Sequence, residues 1–230
     1  MKTQIGMLLY PRLTQLDLTG PFEVFHRLSE TEVHLIWKTI DPVRSDSGMS
    51  ILPTTTLADC PKLDVLCVPG GPGQIELMDD KEVLEWLKQR AAEVQWITSV
   101  CTGSLLLGAA GLLQGYRAAC HWMSRDQLAL LGAVPSPERV VLDRNRITGG
   151  GVTAGIDFAL QLAELLRDET EARSIGLQLE YDPAPPFGPG SPDQCELNLI
   201  VGLQRRAKSL LAARRAATER ARDRLNSTLS

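Results

Sequence analysis

Residues 95–107 read Gln95-Trp96-Ile97-Thr98-Ser99-Val100-Cys101-Thr102-Gly103-Ser104-Leu105-Leu106-Leu107. The first part is an apolar, β-branched run of strand length, and the second part has the composition of a helix that begins near Thr102. Because the strand is too apolar to be exposed on either face, it predicts a central strand of a parallel sheet. Cys101 then lies on a sharp turn between a buried strand and a helix.

The same alternation of short apolar runs and helical segments extends along the chain in both directions. It predicts an α/β fold with a mostly parallel central sheet flanked by helices on both faces. The predicted strands are Gln4–Leu9, Val33–Trp37, Val65–Val68, Trp96–Val100, Val140–Leu142 and Ile147–Thr148, with a hairpin or edge element at Met49–Thr55. The predicted helices are Pro21–Leu28, Lys81–Ala92, Gly103–Ala110, Ser124–Leu131, Gly155–Leu166 and Glu169–Leu179. Asp79 or Asp80 is expected to cap the second helix and Ser124 the fourth.

The composition narrows the range of partners. The chain has 230 residues, with 24 Lys and Arg against 28 Asp and Glu, which gives a net charge of −4. A chain of this charge has no general positive field to attract nucleic acid or an anionic membrane. No apolar run reaches the roughly 20 residues that span a bilayer, and no signal-peptide cleavage site precedes Pro11. We therefore expect a cytoplasmic protein that binds neither nucleic acid nor membrane.

The five cysteines are odd in number and lack the two-residue spacing of metal sites: Cys60, Cys67, Cys101, Cys120 and Cys195. This pattern predicts neither a disulfide scaffold nor a zinc site. We expect no metal and no organic cofactor.

The chain changes character after residue 181. Residues 182–193 are rich in proline and exclude a helix or a central strand. Residues 196–226 predict one long helix, and between Arg205 and Arg224 it carries eight Lys or Arg against two acidic residues. Since no aromatic residues interleave with these charges, a solvated or partner-packed helix face is favoured over a nucleic-acid arm. We therefore divide the chain into an α/β domain, 1–181, and an appendage, 182–230, that packs on this domain or on a second copy.

Cys101 is the candidate nucleophile because of its position. Backbone N–H groups at a helix N-terminus favour an anion, so we expect this thiol to ionise more readily than a free one. Gly103 leaves room for a substrate, and the Thr102 N–H faces the atom under attack. The other four cysteines are interpreted as buried apolar residues.

Other strand ends offer further candidates. In Pro69-Gly70-Gly71-Pro72-Gly73, the Gly71 N–H is a candidate second oxyanion donor, and the spacing does not fit a dinucleotide or nucleoside triphosphate loop. Asp17, between two leucines, is either a general acid/base or a carboxylate that caps a helix. Gly149, Gly150 and Gly151 are expected to provide close backbone packing around the site.

Histidine does not complete a triad in the sequence. His26 and His34 lie in a predicted helix and strand without a surrounding motif and are interpreted as structural. His121-Trp122 lies at the end of an element and is a candidate for the pocket wall.

Four segments together resemble a known family: Leu16-Asp17-Leu18-Thr19-Gly20-Pro21, Val68-Pro69-Gly70-Gly71, Ser99-Val100-Cys101-Thr102-Gly103-Ser104, and His121-Trp122 followed by Thr148-Gly149-Gly150-Gly151. In order and spacing they resemble the PfpI-type branch of the class I glutamine-amidotransferase-like superfamily, and within it the isocyanide (isonitrile) hydratases. The segment 179–187, LEYDPAPPF, strengthens the similarity to the hydratases.

This resemblance implies a flavodoxin-like sandwich, a homodimer, Cys101 at the nucleophile elbow and Asp17 beside its sulfur. The matching segments also imply pocket positions for Thr19, Gly70, His121, Trp122 and Gly150. Peptidase-like members have His directly after the nucleophile, and Thr102 at this position argues against peptidase or amidotransferase activity. Pro72 stands where a threonine is expected in the hydratases, and it has no N–H to donate.

The implied activity is the hydration of an organic isocyanide to an N-substituted formamide through a thioimidate on Cys101, which is a hydro-lyase reaction. One alternative is a glyoxalase, hydratase or deglycase that acts on α-oxoaldehydes with the same fold. Another is a non-catalytic ligand-sensing domain, as in AraC-type regulators. About 35 residues follow the Pro-rich segment, fewer than two helix-turn-helix motifs need, so the enzyme is favoured.

Overall fold

The computed structural model describes residues 2–188 and 190–227. Its strands are β1 (Thr3–Leu8), β2 (Thr31–Trp37), β3 (Val43–Arg44), β4 (Ser50–Ile51), β5 (Thr55–Thr56), β6 (Val65–Val68), β7 (Trp96–Val100), β8 (Arg117–Ala118), β9 (Val134–Pro135), β10 (Val140–Asp143) and β11 (Arg146–Gly149). Seven of them form a central sheet in the order β10-β11-β7-β6-β1-β2-β5. β10 pairs antiparallel with β11, and the other neighbours pair in parallel. The predicted mostly parallel sheet is confirmed.

The helices are α1 (Gln15–Arg27), α2 (Gln74–Leu77), α3 (Lys81–Ala91), α4 (Gly103–Ala109), α5 (Ala154–Leu166), α6 (Glu169–Gln178), α7 (Leu197–Arg206) and α8 (Lys208–Ser227), with 3₁₀ turns at Arg125–Leu131 and Pro192–Gln194. α1, α5 and α6 pack together as one layer, and α3, α4 and α8 form a second layer. With a helical layer on each face of the sheet, the central strands have no exposed side. All four residues of β6 and four of the five in β7 are accordingly buried.

Helix α1 begins earlier than the sequence predicts. The predicted start at Pro21 is wrong, because the helix already begins at Gln15 and continues through the proline. Proline removes one helical hydrogen bond, which is unfavourable inside a helix. Here its ring is buried against α5, since a Cβ on Gly155 would lie 3.0 Å from Pro21 Cδ. This packing explains why the helix tolerates the proline.

The predicted C-terminal helix is divided into two, because α7 ends at Arg206 and Ala207 separates it from α8. α7 buries none of its residues, whereas α8 buries residues at helical spacing: Arg214, Ala217, Thr218 and Ala221. The Asp80 cap is confirmed by its bond from the Val83 N–H, at 3.2 Å, but Ser124 makes no cap bond. No helix within residues 2–188 and 190–227 has the length and apolarity to cross a membrane.

The sheet topology brings four loops to one edge. β11, β7, β6 and β1 are consecutive neighbours, and each parallel strand ends on the same side of the sheet. The chain adds β2 on one side of β1 and β6 on the other, so the order of the strands reverses at β1. In open α/β sheets, ligands bind at the carboxyl ends of strands where the order reverses in this way.

Candidate active site

Cys101 lies at the carboxyl end of β7, on the predicted turn. Its N–H donates to the Gly149 carbonyl at 2.9 Å, and its side chain is 6% exposed. Its φ of +56° is in the left-handed region, which costs on the order of 1–3 kcal/mol for a residue with a Cβ. A strained strand-to-helix turn that holds one reactive side chain is typical of a nucleophile elbow.

Two glycines allow the surrounding loops to approach this turn. A Cβ on Gly103 would lie 2.1 Å from the Val68 carbonyl oxygen. A Cβ on Gly70 would lie 2.6 Å from the Thr102 nitrogen and 2.8 Å from Asp17 Oδ2. These positions admit no side chain, so the sequence Cys-Thr-Gly and the paired glycines after β6 depend on each other.

Asp17, in the first turn of α1, is completely buried. The Gly70 N–H donates to its Oδ2 at 2.9 Å, and Oδ1 has no hydrogen-bond partner of standard geometry in the described part of the chain. Burial raises the pKa of Asp17 to about 7, although the Gly70 N–H and the Cys101 thiol both act to lower it. The carboxylate bonds to another loop and not to the N-terminus of α1, so the structure favours an acid/base group over a cap.

The acidity of the Cys101 thiol differs from the sequence expectation. Burial raises the pKa of Cys101 well above its usual range, and the Asp17 carboxylate raises it further. The Thr102 N–H and Arg214 lower it, but they do not outweigh burial. The expectation that this thiol ionises more readily than a free one is therefore wrong for the free protein. The Cys101 thiol and the Asp17 carboxyl group are within hydrogen-bonding reach of each other, so a proton can pass between them.

The predicted oxyanion donors have different surroundings. The Thr102 N–H lies next to the sulfur, whereas the Gly71 N–H donates to Thr102 Oγ1 at 3.0 Å. Gly71 is therefore not the free donor that the sequence suggests. Thr102 Oγ1 accepts this bond, so the hydroxyl hydrogen of Thr102 is not used by it. That hydrogen makes only a long bond, of 3.5 Å, to the Gly71 carbonyl and can turn to a stronger acceptor.

Three of the remaining predicted site residues line two cavities, and Thr19 lines neither. His121 lies in the cavity beside Cys101, and burial together with Arg214 lowers its pKa to about 4, so its ring is neutral. Trp122 and Gly150 line a neighbouring cavity of about 350 Å³ that also contains Cys120. Thr19 lies on α1 with its hydroxyl bonded to Gln15 and lines neither cavity.

The cavity beside Cys101 has a volume of about 200 Å³. Its wall is mainly apolar and includes Met123 and Val152. The C-terminal segment adds Ala207, between α7 and α8, and Leu210 and Leu211 on α8. Asp46 and Arg214 are the charged residues among those that line it.

Arg214 is the site residue that the sequence reasoning missed. The signal was its spacing, because it falls on the same face of α8 as Ala217, Thr218 and Ala221, which are small and buried. A cation on the buried face of an amphipathic helix indicates a polar environment beneath it.

Three comparisons with known proteins match this arrangement. The model of the DJ-1/PfpI family matches residues 3–165. An isonitrile hydratase from Pseudomonas putida is 53% identical over 226 residues, which cover 98% of this chain and 99% of the relative. The HTH-type transcriptional regulator GbdR from Pseudomonas aeruginosa is 32% identical over 69% of this chain but only 45% of the regulator. A crystal structure of a THiJ/PfpI family protein from Pseudomonas syringae has a TM-score of 0.92 and 45% identity, covering 95% of this chain and 91% of that one.

Proposed function

Because this chain belongs to the DJ-1/PfpI family, we propose that it hydrates organic isocyanides, R–N≡C, to N-substituted formamides. The observation that carries this proposal is the buried Cys101–Asp17 pair, whose cysteine lines a mainly apolar cavity. The P. putida relative, 53% identical over almost the full chain, has the name of this activity.

In the first step, Asp17 takes the thiol proton while the sulfur attacks the terminal carbon of the isocyanide. Asp17 then returns this proton to the same carbon, which gives the thioimidate S–CH=N–R on Cys101. A carboxyl group with a pKa of about 7 suits both transfers near neutral pH, because it accepts and releases a proton with little free-energy cost.

In the second step, water adds to the thioimidate carbon. Asp17 accepts a proton from the water and passes it to the nitrogen, so the intermediate is S–CH(OH)–NH–R and Asp17 is again a carboxylate. The C–S bond then breaks, the hydroxyl proton passes to the sulfur, and the N-substituted formamide leaves. The two steps consume one isocyanide and one water and restore the thiol.

Thr102 supplies the polar contacts for these steps. Its N–H lies beside the sulfur, and its hydroxyl, which makes only a 3.5 Å bond to the Gly71 carbonyl, can turn to donate to the substrate nitrogen. Each donor of this kind contributes roughly 3 kcal/mol to the transition state in comparable sites. Pro72 has no N–H, so the loop after β6 adds no donor at that position.

The size and polarity of the cavity limit the R group. A volume of about 200 Å³ is slightly larger than the cavities of about 150 Å³ that hold benzene. The apolar wall around Leu210 and Leu211 favours an aromatic or branched alkyl substituent over a charged one.

The direct test is to incubate the purified protein with an aryl isocyanide and to identify the formamide by mass spectrometry. We expect formamide as the product, together with a trapped adduct on Cys101 alone among the five cysteines. Methylglyoxal serves as the competing substrate. Faster consumption of methylglyoxal than of isocyanide would assign the chain to the α-oxoaldehyde enzymes instead.

We also propose that the chain forms a homodimer in which α7 contacts the second copy. The support is a set of apolar side chains on a helix that buries none of its residues: Leu197, Leu199, Val201 and Leu203. Leu197 alone is 74% exposed. Apolar surface concentrated in this way usually marks an interface.

Sedimentation should therefore give twice the mass of one chain, and Leu197→Glu should shift the protein toward monomer. The matched control is Leu177→Glu, on α6, where the leucine is 79% exposed. A wild-type protein that sediments as a monomer at micromolar concentration would contradict the proposal.

A further inference from the structure

A buried cation lies beside the proposed nucleophile. Arg214, on α8, is 5% exposed and lines the same cavity as Cys101. Its Nε donates to Gln74 Oε1 at 3.0 Å, and its Nη1 donates to Ser124 Oγ at 3.1 Å. Both partners are neutral, and no carboxylate in residues 2–188 or 190–227 forms an ion pair with this guanidinium.

Polar contacts in the turns that follow Arg214 fix α8 to the domain. Thr218 Oγ1 donates to Gln127 Oε1 at 2.8 Å, and Arg220 Nε donates to Asp79 Oδ2 at 3.0 Å. The guanidinium is thus held by its own two bonds on a helix that is itself anchored. These contacts together fix the position of the guanidinium relative to the cavity.

Both acidic and basic side chains surround the Cys101 sulfur. The groups that face Cys101 come from several elements: Tyr10 after β1, Asp17 on α1, Asp46 between β3 and β4, Cys120 and His121 after β8, and Arg214 on α8. With His121 neutral, Arg214 is the cation of this set. A buried charge that is not paired with a counter-ion is costly, and the hydrogen-bond partners of Arg214 are both neutral, so an anion that forms on the adjacent sulfur is favoured.

We propose that Arg214 is the counter-charge of the Cys101 sulfur, which it stabilises when the thiol proton passes to Asp17 and attack on the substrate begins. This inference rests on the proposed function, since it assigns Arg214 to the same reaction. Before the transfer the negative charge is on Asp17, and afterwards it is on the sulfur, while the total charge is unchanged. Arg214 acts on the sulfur through the electric field of its guanidinium, so it is a positioning residue and not a catalytic one.

The test measures how fast iodoacetamide alkylates Cys101 as a function of pH, read by mass spectrometry of the Cys101 peptide. Arg214→Gln removes the charge but keeps a hydrogen-bonding side chain. Gln74→Glu keeps Arg214 and neutralises its field with an adjacent carboxylate, which protects against a variant that fails to fold. Arg215→Gln is the matched control, because Arg215 is the exposed neighbour that pairs with Asp126.

Arg214→Gln and Gln74→Glu are each expected to raise the pKa of Cys101 and to slow alkylation at pH 7 about tenfold, which corresponds to one pKa unit. Arg214→Lys should restore most of this loss, and Arg215→Gln should behave as wild type. A merely structural role predicts the opposite direction, because a loosened cavity admits water and lowers the pKa of a buried thiol. An unchanged or lowered pKa in Gln74→Glu, or an Arg214→Lys variant as slow as Arg214→Gln, would overturn the proposal.

Alkylation needs no isocyanide, so the two proposals fail separately. If the variants show the shift in the pKa of Cys101 but the wild type yields no formamide, the role of Arg214 stands and the proposed substrate is wrong. If the wild type produces formamide but the variants show no shift in the pKa of Cys101, the proposed substrate stands and the role of Arg214 is wrong.

Discussion

Replacement of Cys101 by alanine is expected to reduce formamide formation to the rate of the uncatalysed reaction. Without the sulfur no covalent bond to the isocyanide carbon forms, and the route through the thioimidate is lost. Since enzymes accelerate reactions by at least about 10⁶-fold in most cases, the loss exceeds the range of an ordinary assay. The measurement is formamide production at saturating aryl isocyanide.

Cys101→Ser separates the chemistry from the shape of the site. Serine fills nearly the same space, but its hydroxyl is a far weaker acid than a thiol, so we expect this variant to be inactive as well. Cys67→Ala is the control for loss of a buried cysteine, because Cys67 lies in the core on the neighbouring strand β6. Turnover near the wild-type rate in Cys101→Ala or Cys101→Ser would refute the mechanism.

The sequence predicts the position of the nucleophile because that position depends on local pattern. β6 and β7 are predicted residue for residue, since a strand buried on both faces is an uninterrupted apolar run with polar or glycine residues at its end. The turn at Cys101 follows from the change of period between β7 and α4. The start of α1 is missed because the packing of Pro21 on Gly155 lies outside any local window.

The acidity of Cys101 is predicted in the wrong direction for a related reason. A helix N-terminus stabilises a nearby anion by about 1 kcal/mol, and this effect is visible in the sequence. Desolvation of a fully buried group shifts its pKa by up to several units, and it depends on how the loops after β1, β6 and β11 enclose the sulfur. That enclosure is tertiary, so the local pattern contains no measure of it.

The partners of the nucleophile depend on contacts that are distant in the chain. Asp17 bonds to Gly70, which is 53 residues away, and the segment around Asp17 alone fits a helix cap equally well. Arg214 reaches the cavity from the C-terminal helix, and its contact with Gln74 spans 140 residues. In the sequence it is one of several arginines that a solvated helix face would also contain.

Replacement of Asp17 by asparagine is expected to lower the turnover of isocyanide about 10³-fold, because general acid–base catalysis contributes about 10²–10⁴-fold. Asparagine keeps the shape and can still accept the Gly70 N–H, but it cannot take the thiol proton. In the wild type, kcat/KM should rise with pH through about 7 as Asp17 ionises. In Asp17→Asn this rise should disappear, and activity should follow the pKa of the Cys101 thiol at higher pH.

A variant that retains turnover within tenfold of wild type, with the same pH profile, would exclude Asp17 as the base. Asp41→Asn is the matched control, because Asp41 is an exposed aspartate that bonds to Thr39 and lines neither cavity. It should leave both the rate and the profile unchanged.

The same substitution is expected to stabilise the fold at alkaline pH. Folded Asp17 keeps its proton up to about pH 7, whereas an unfolded aspartate loses it near pH 4, so the folded chain binds more protons between these values. The stability from Asp17 is therefore fully present below the unfolded pKa and is lost as the pH rises through the folded pKa. Between pH 5 and pH 8 the free energy of unfolding of the wild type should fall by about 3 kcal/mol relative to Asp17→Asn.

Chemical denaturation of both proteins at the two pH values measures this difference, and an equal gap at pH 5 and pH 8 would contradict it. The result also connects stability with catalysis. The carboxylate that accepts the thiol proton is the ionised form, and this is the form that burial makes unfavourable. A variant that lacks the carboxylate, such as Asp17→Asn, should therefore gain stability and lose turnover together. This trade-off is expected where a reactive group is held in an apolar environment. A variant that gained both would show that the raised pKa of Asp17 has no part in the reaction.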